Sequence, residues 1–394
     1  MGRRAAEPLL PGATVGVVGG GQLGLMLGAA CRRMGYRFAV LAPEERPPAA
    51  AVADLHLRAP LDAADALREL AQRVDVVTFE FENVSSAAFA AAETAGAVRP
   101  SARALHLTQH RGREKGFLAG AGLPLARWRA AADAAEVDAA IAEVGTPCVV
   151  KTAGFGYDGK GQVVVAGRDG LAAARALAAA GPVVVEERVD LAAELSVVVA
   201  RGVDGEVAAY APFVNRHEGH VLDVTVAPFA AHVDAWRGVD RAAADRARDL
   251  AVQVAERLDL VGVCCVEFFL SASGELLVNE VAPRPHNSGH LTIEAAPASQ
   301  FEQQLRAVCG LPLGATTLAR PAAMANLLGG LWADGTPDFA AALAVPGVSL
   351  HLYGKEEARP GRKMGHLTAV ADDPGEALAR VLSARAALTA RRRA

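Results

Sequence analysis

A chain of 394 residues is too long for one ordinary hydrophobic core, so length alone predicts two or three domains. With 52% apolar residues, and 40 Lys and Arg against 44 Asp and Glu, the net charge of −4 offers no global field to nucleic acid or an anionic membrane. Cys31, Cys148, Cys264, Cys265 and Cys309 are odd in number and lack C-x-x-C spacing, which argues against a disulfide framework or a zinc knot and for a reducing, cytoplasmic setting.

Arg3-Arg4 hints at an export leader, but Pro8, Pro11 and Gly12 cut the stretch that follows, and the chain runs straight into a strand. No later run approaches the roughly 20 uninterrupted apolar residues of a membrane span. From residue 14 the pattern alternates: strand 14–18, helix 22–34, strand 37–41, a Pro-rich connection at 45–52, helix 62–73, strand 74–79, helix 85–95 and a short strand near 97. This is a parallel α/β unit. Its first turn, GGGQLG, holds Gly19, Gly21 and Gly24 in the G-x-G-x-x-G spacing that suits a pyrophosphate at a helix N-terminus.

The pattern changes at 108. Helices at 108–121 and 133–143 precede the strands PCVVKTA, QVVVA, PVVVEERV, AELSVVVAR and VAAYAPFVNRH, most with no helix between them, so an antiparallel α+β domain is expected. A helix at 241–258 leads into the hairpin VGVCCVEFFLSASGELLVNEVAP. A helix at 301–309, a strand around 323–328 and a small tail ending in ARRRA, read as a solvated basic helix, complete the chain.

Four islands carry the chemistry. VVKTAGFGYDGKGQVVV, 149–165, sets two β-branched strands around a four-glycine loop whose amides can line a phosphate concavity, with Lys151 and Lys160 adding charge. In the hairpin, a four-residue turn at Ser271 to Gly274 would pair Leu270 with Glu275, putting Glu267 opposite Val278 and diagonal to Glu280 on one sheet face. Two carboxylates converging on apolar strands are costly to bury, and hard oxygen ligands beside a phosphate favour magnesium. NEVAPRPHNSGHLT, 279–292, carries Asn279, Arg284, His286, Asn287, Ser288 and His290 on a loop stiffened by two prolines. YGKEEARPGRKMGH, 353–366, gathers Lys355, Arg359, Arg362 and Lys363 around Pro360-Gly361, either as a solvated turn or as an anion clamp.

Taken in order, GGGQLG, TFEFENV at 78–84, TQHR with EK and FL, GYDGKGQ, EERV, NRH, VEFF with NEVAPRPHNSGH, and GKEEARPGRKMGH resemble the ATP-grasp superfamily. Within it, the likeness is to the ATP-dependent 5-(carboxyamino)imidazole ribonucleotide synthases of purine biosynthesis, over nearly the whole chain. The resemblance implies an α/β N-terminal parallel-sheet domain at 1–107, an α+β ATP-grasp domain at 108–305 with a flap at about 145–190, and a small β-containing C-terminal domain at 306–394. It implies ATP contacts from Arg111, Lys151, Gly156, Tyr157, Asp158, Gly159, Lys160, Gly161, Gln162, Glu186, Glu187, Arg188, Val189, Glu194, His217, Asn279 and Glu280. Glu186 to Val189 would hold the adenine edge, Glu194 the ribose hydroxyls, and Glu267 with Glu280 the magnesium ion (Mg2+).

The same resemblance places 5-aminoimidazole ribonucleotide among Gln22, Leu23, Glu80, Tyr157, Asp158, Arg284, His286, Asn287, Lys355 and Arg362, and implies a homodimer. Bicarbonate would attack the γ-phosphate of ATP to give carboxyphosphate, and the exocyclic amine would then capture the carboxyl group, shielded from water by the glycine-rich flap. In this scheme the catalytic residues are Asp158, Arg284, His286 and Lys355: Asp158 and His286 orient the amine and take its proton, and Arg284 holds the bicarbonate-derived anion. Four positions depart from the family pattern: Ala153 and Gly154 replace a basic pair, His110 an aspartate and Leu291 a tryptophan.

Two rival readings are distinguishable. A formate-dependent glycinamide ribonucleotide transformylase offers an acid where Gln22 stands here, so Gln22 and HNSGH favour carboxylation. An NAD-dependent oxidoreductase needs an acid at the end of the second strand, which instead ends VLAP with Glu44 and Glu45 beyond Pro43.

Overall fold

The computed structural model describes residues 7–154, 161–228 and 239–390. The N-terminal unit comprises β1 (Thr14–Val18), α1 (Gln22–Arg33), β2 (Arg37–Ala42), β3 (Leu55–Arg58), α2 (Ala64–Arg73), β4 (Val76–Phe79) and α3 (Ser86–Glu93). Its strands are parallel in the order β3-β2-β1-β4, and Val98 bridges to Val77 in parallel, so the short strand expected near 97 is a single bridge. Burial on both faces explains why β1 and β2 are nearly continuous apolar runs.

The helix expected over 108–121 is α5 (Arg111–Gly120), and a further helix that the sequence pattern did not mark, α4 (Ala102–Thr108), precedes it. His110 separates them. Its backbone is extended, and its Nδ1 accepts the Arg113 N–H at 3.3 Å, so the ring caps α5 as an aspartate would.

A small unit follows, with β5 (Trp128–Ala131), α6 (Ala134–Val144), β6 (Cys148–Thr152), β7 (Gln162–Val165), α7 (Leu171–Ala179) and β8 (Val183–Glu187). Its antiparallel sheet has the order β5-β8-β6-β7. The rest of the chain forms β9 (Leu191–Arg201), β10 (Val207–Ala209), β11 (Phe213–Glu218), β12 (Val221–Ala227), α8 (Arg241–Arg257), β13 (Gly262–Ser271), β14 (Leu276–Ala282), α9 (Thr292–Ala295), α10 (Gln300–Cys309), β15 (Ala322–Leu328), α11 (Phe339–Leu343), β16 (Val348–Leu352), β17 (Lys363–Val370) and α12 (Pro374–Ala390).

Among the described residues these strands make one nine-stranded antiparallel sheet, β14-β13-β9-β11-β12-β15-β17-β16, with β10 on β9. The C-terminal strands therefore prolong the sheet that carries the hairpin. Both faces are covered: along β9, Val197 and Val199 pack with residues of α8 and α12, while Val198 and Ala200 pack with Tyr210, Phe213 and Leu291. Residues 391–394 of the basic ARRRA segment lie outside the described residues. Among those described, no helix is long and apolar enough to cross a membrane.

Candidate active site

Helix α5 brings Arg111, Glu114 and Lys115 to one face, at i, i+3 and i+4. Arg111 Nη1 meets Glu280 Oε2 at 2.9 Å, Glu114 Oε1 accepts the Val281 N–H at 2.6 Å, and Lys115 Nζ lies 3.1 Å from Glu186 Oε2. Lys151 Nζ reaches that same Glu186 oxygen, also at 3.1 Å. Burial alone would raise the Glu186 carboxyl, but Lys151, Lys115 and Arg111 outweigh it and hold its pKa at about 2. Glu114 goes the other way: burial, then the charge of Glu280, pushes it up to about 8. Neither Glu114 nor Lys115 was singled out by motif reading, although the EK pair three and four residues after Arg111 is a helical-face signal.

The hairpin register differs from the expected one. Leu270 pairs with Leu276 rather than Glu275, Phe268 with Val278, and a bulge between Glu267 and Phe268 then sets Glu267 directly across from Glu280. The expected convergence of the two acids holds, through a bulge that the turn count could not reveal. Asn279, the extra residue, has its Oδ1 buried with no hydrogen-bond partner among the described residues. Two facing carboxylates and an unsatisfied amide oxygen are hard oxygen donors, a set that fits Mg2+.

On the neighbouring strands, Glu194 Oε2 and His217 Nδ1 are 2.5 Å apart. Burial would lower the His217 pKa, but Glu194, with Glu267 beyond it, raises it. Gln162 ends the flap strand beside His220 at 3.1 Å. Glu187, the last residue of β8, pairs with Arg127 at 2.8 Å on the surface, and Arg188, whose N–H bonds the Pro147 carbonyl at 3.1 Å, opens the main-chain linker after β8 that Val189 continues. Gly161 sits at φ +72°, where a side chain is disfavoured and a Cβ would lie 2.6 Å from Thr152 Oγ1. Gly156, Tyr157, Asp158, Gly159 and Lys160 lie outside the described residues.

The 279–292 loop is held by carboxylates. Arg284 grips Glu82 through Nε and through Nη2, the latter at 2.7 Å, and gives one Nη1 proton to the Pro285 carbonyl at 3.1 Å. Among the described residues, the other two of its five donors have no partner. Burial would lower the Arg284 pKa and raise that of Glu82, yet the pair overrides burial on both sides and keeps both groups charged. Glu82 belongs to TFEFENV, the motif from which Glu80 alone is expected at the substrate.

His286 Nε2 lies 3.0 Å from Glu267 Oε1, and its Nδ1 lies 2.9 Å from Ser288 Oγ. Burial pulls the His286 pKa down, but Cys265 and the Glu267 carboxylate outweigh it, so the ring is cationic at neutral pH. His286 was expected to take up a proton; in this arrangement it is a donor. Asn287 is buried, and neither of its amide atoms has a partner among the described residues. Leu291, at the tryptophan position, is wholly buried beside Ala295 in the core.

At the glycine turn the expected anion site is already filled. The buried Glu80 carboxylate accepts the Gly24 N–H at 2.7 Å and the Gly21 N–H at the start of α1, and a Cβ on Gly19 would fall 2.5 Å from Glu80 Cγ. A dinucleotide pyrophosphate has no room there, because the protein supplies its own anion to the helix N-terminus. Burial raises the Glu80 pKa against these two amides. Leu23, expected at the substrate, packs into the α1 core, whereas Gln22 is partly exposed at the first helical position.

A cleft of about 490 Å³ beside Gly20 and Gly21 is lined by Arg46, Lys355, Arg359 and Arg362 together with four acids, Glu44, Glu45, Glu356 and Glu357. Lys355 Nζ donates to the Lys363 carbonyl at 2.7 Å and lies 5.5 Å from the Tyr353 ring. Arg46, from the Pro-rich connection, was missed because nothing in ERPP marks it as more than a surface charge.

Residues 12–109 match the ribonucleotide synthetase preATP-grasp domain, 116–301 the ATP-grasp domain and 322–380 the phosphoribosylaminoimidazole carboxylase C-terminal domain. The chain is 40% identical over 362 residues to an N5-carboxyaminoimidazole ribonucleotide synthase of Bacillus subtilis, covering 91% of this chain and 92% of the other. It is 44% identical over 365 residues to that of Brucella melitensis, covering 92% and 97%. Among solved structures, the Aspergillus clavatus N5-carboxyaminoimidazole synthase in complex with ADP and 5-aminoimidazole ribonucleotide superposes with a TM-score of 0.87 at 32% identity, over 96% of this chain and 99% of that one.

Proposed function

The chain belongs to the N5-carboxyaminoimidazole ribonucleotide synthases of the ATP-grasp superfamily, and on that premise we propose how its residues divide the reaction. The enzyme carboxylates 5-aminoimidazole ribonucleotide with bicarbonate at the expense of ATP, in purine biosynthesis. In the first step a bicarbonate oxygen attacks the γ-phosphorus and ADP leaves, forming carboxyphosphate. In the second, the exocyclic amine attacks the carboxyl carbon, phosphate leaves, and one amine proton passes to Asp158.

Lys151, drawn with the buried Lys115 onto Glu186, would face the nucleotide phosphates, and the linker after Glu186 would take the adenine edge. Glu267, Glu280 and Asn279 would hold Mg2+, which when bound supplies positive charge against those phosphates. Arg284, fixed by Glu82, presents its two remaining donors to the bicarbonate-derived anion. His286, both of whose ring nitrogens are taken by Glu267 and Ser288, offers that anion its positive charge rather than a hydrogen bond, and Lys355, Arg362 and Arg46 receive the ribonucleotide phosphate.

The observation that carries this reading is the direct opposition of Glu267 and Glu280 beside a loop whose Arg284 and His286 are each oriented by a carboxylate. A coupled ADP-release assay tests it. ADP should appear only with both bicarbonate and aminoimidazole ribonucleotide, and formate with glycinamide ribonucleotide should be silent; turnover with the second pair overturns the assignment. A homodimer working in the cytoplasm belongs to the same reading, supported by five cysteines that are all free and buried, and sedimentation at a single chain mass would refute the dimer.

A further inference from the structure

We propose that Gln300, at the start of α10, is a positioning residue for the carboxylation: it fixes the main chain of His286 and, through His290, the segment after β16 that carries Lys355. The proposal rests on the reading that His286 and Lys355 face the ribonucleotide and its anion.

Helix α10 buries three glutamines completely, Gln300, Gln303 and Gln304. A buried amide is costly unless each of its polar atoms finds a partner. Gln304 Oε1 accepts the Val263 N–H at 2.5 Å, and its Nε2 donates to Thr78 Oγ1 at 2.8 Å, tying β13 to β4. Gln303 clamps one residue at both ends of its peptide frame: its Oε1 accepts the Gly314 N–H at 2.9 Å, and its Nε2 donates to the Gly314 carbonyl at 2.7 Å. Gln300 does the same to His286, accepting its N–H at 2.9 Å and donating to its carbonyl at 2.7 Å.

The second Nε2 proton of Gln300 goes to His290 Nδ1 at 3.1 Å, so both amide donors are spent. The direction is consistent, because burial, then the cationic His286, drives the His290 pKa down and leaves its ring neutral with an acceptor nitrogen. The His290 ring lies 4.8 Å from that of His366, and His366 Nδ1 meets the Tyr353 hydroxyl at 2.8 Å, two residues before Lys355. Gly289 leaves no slack between them, since a Cβ there would lie 2.4 Å from Gln300 Oε1. One amide thus sets two segments that reach the same substrate.

The two clamps supply the control. Gln300→Met and Gln303→Met remove equally buried amides of the same helix, each from a two-point grip on one residue, and only the first grip belongs to the site. In the full-length enzyme, Gln300→Met should lower kcat/KM for aminoimidazole ribonucleotide by about tenfold or more while KM for ATP stays within about twofold, because displaced reacting groups penalise the chemical step. Gln303→Met should lower the unfolding temperature comparably and leave both constants near wild type. Gln300→Glu, which keeps shape and one acceptor but loses both donors, should reproduce the kinetic pattern if the Met variant does not fold. Equal kinetic effects at 300 and 303, or an unchanged kcat/KM in a folded Gln300 variant, overturn the proposal. His286→Ala tests the underlying reading separately: full activity there would remove His286 from the site whatever Gln300 does.

Discussion

In the nucleotide half of the site, Glu186, Glu267 and Glu280 are already held by Lys115 and Lys151, by His286 and by Arg111, with Glu186 and Lys115 buried and the others partly so. In the ribonucleotide cleft, Arg46 and Arg359 are exposed, and the half-buried Arg362 donates from Nη1 to the Glu357 carbonyl at 2.9 Å. The contrast assigns different costs to the two halves. Buried charges keep their shape by pairing with one another, so removing one strands its partner in a medium of low polarity. Exposed cations are solvated before and after substitution, so removing one costs the ligand's affinity and little else.

The largest effect should therefore come from Glu186→Gln. It leaves Lys115 and Lys151 side by side without their carboxylate, and breaking a buried pair of this kind costs about 3–5 kcal/mol. Urea unfolding reads that loss directly, and a loss below about 1 kcal/mol would mean that the cleft is wetter than its burial indicates. The pH dependence follows from the depressed folded value. The stabilisation is fully present above the ordinary carboxyl value of 4.5 and fades as pH falls toward about 2, so the gap between wild type and variant should close on acidification in that window.

Next in size is Arg284→Lys. Lysine keeps the charge but cannot make the two-point grip on Glu82 while still presenting donors to an anion. Removing a preorganised donor from developing charge costs about a hundredfold in kcat. The expected pattern is that loss with KM for ATP unchanged. If Arg284→Lys retained wild-type turnover, the guanidinium would be a structural brace for Glu82 alone.

The two halves also differed in how well they could be read from the sequence. Local patterns placed the parallel unit, the hairpin, the flap strands and the loop from Asn279 to His290, because each rests on periodicity or on residues close together in the chain. Contacts such as Lys115 with Glu186 and Arg284 with Glu82 span long sequence separations, and only the quoted motifs hinted at them. The bulge that puts Glu267 across from Glu280 is a one-residue irregularity with no sequence signature. At the glycine turn, the spacing was legible and its content was not: the anion at α1 is the protein's own Glu80, delivered from the end of β4. Arg46 shows the opposite limit, a charge that matters only because the fold turns its loop toward Lys355.

On the exposed side, Arg46→Ala should raise KM for aminoimidazole ribonucleotide by about tenfold, the value of one charge-assisted hydrogen bond, with no measurable change in unfolding temperature. Added salt should weaken the wild type toward the variant, since the contact is solvated. A drop in stability instead would place Arg46 among the paired, structural charges and erase the contrast between the clefts at that residue.

The smallest effect tests where the nucleotide half tolerates change. His110 caps α5 with a neutral ring nitrogen, its pKa lowered by burial and by Arg113, and stands where the family pattern has aspartate. His110→Asp should keep the cap and place a negative charge at the helix N-terminus, a gain of about 0.5–1 kcal/mol at most, read in urea unfolding. KM for ATP should not move, because the cap fixes where α5 begins, while Arg111, Glu114 and Lys115 are what α5 presents. A shift in KM for ATP would mean that the ring itself, 3.3 Å from a Cβ built on Gly112 and bridged in backbone to Gly154 of the flap, takes part in closing the nucleotide cleft.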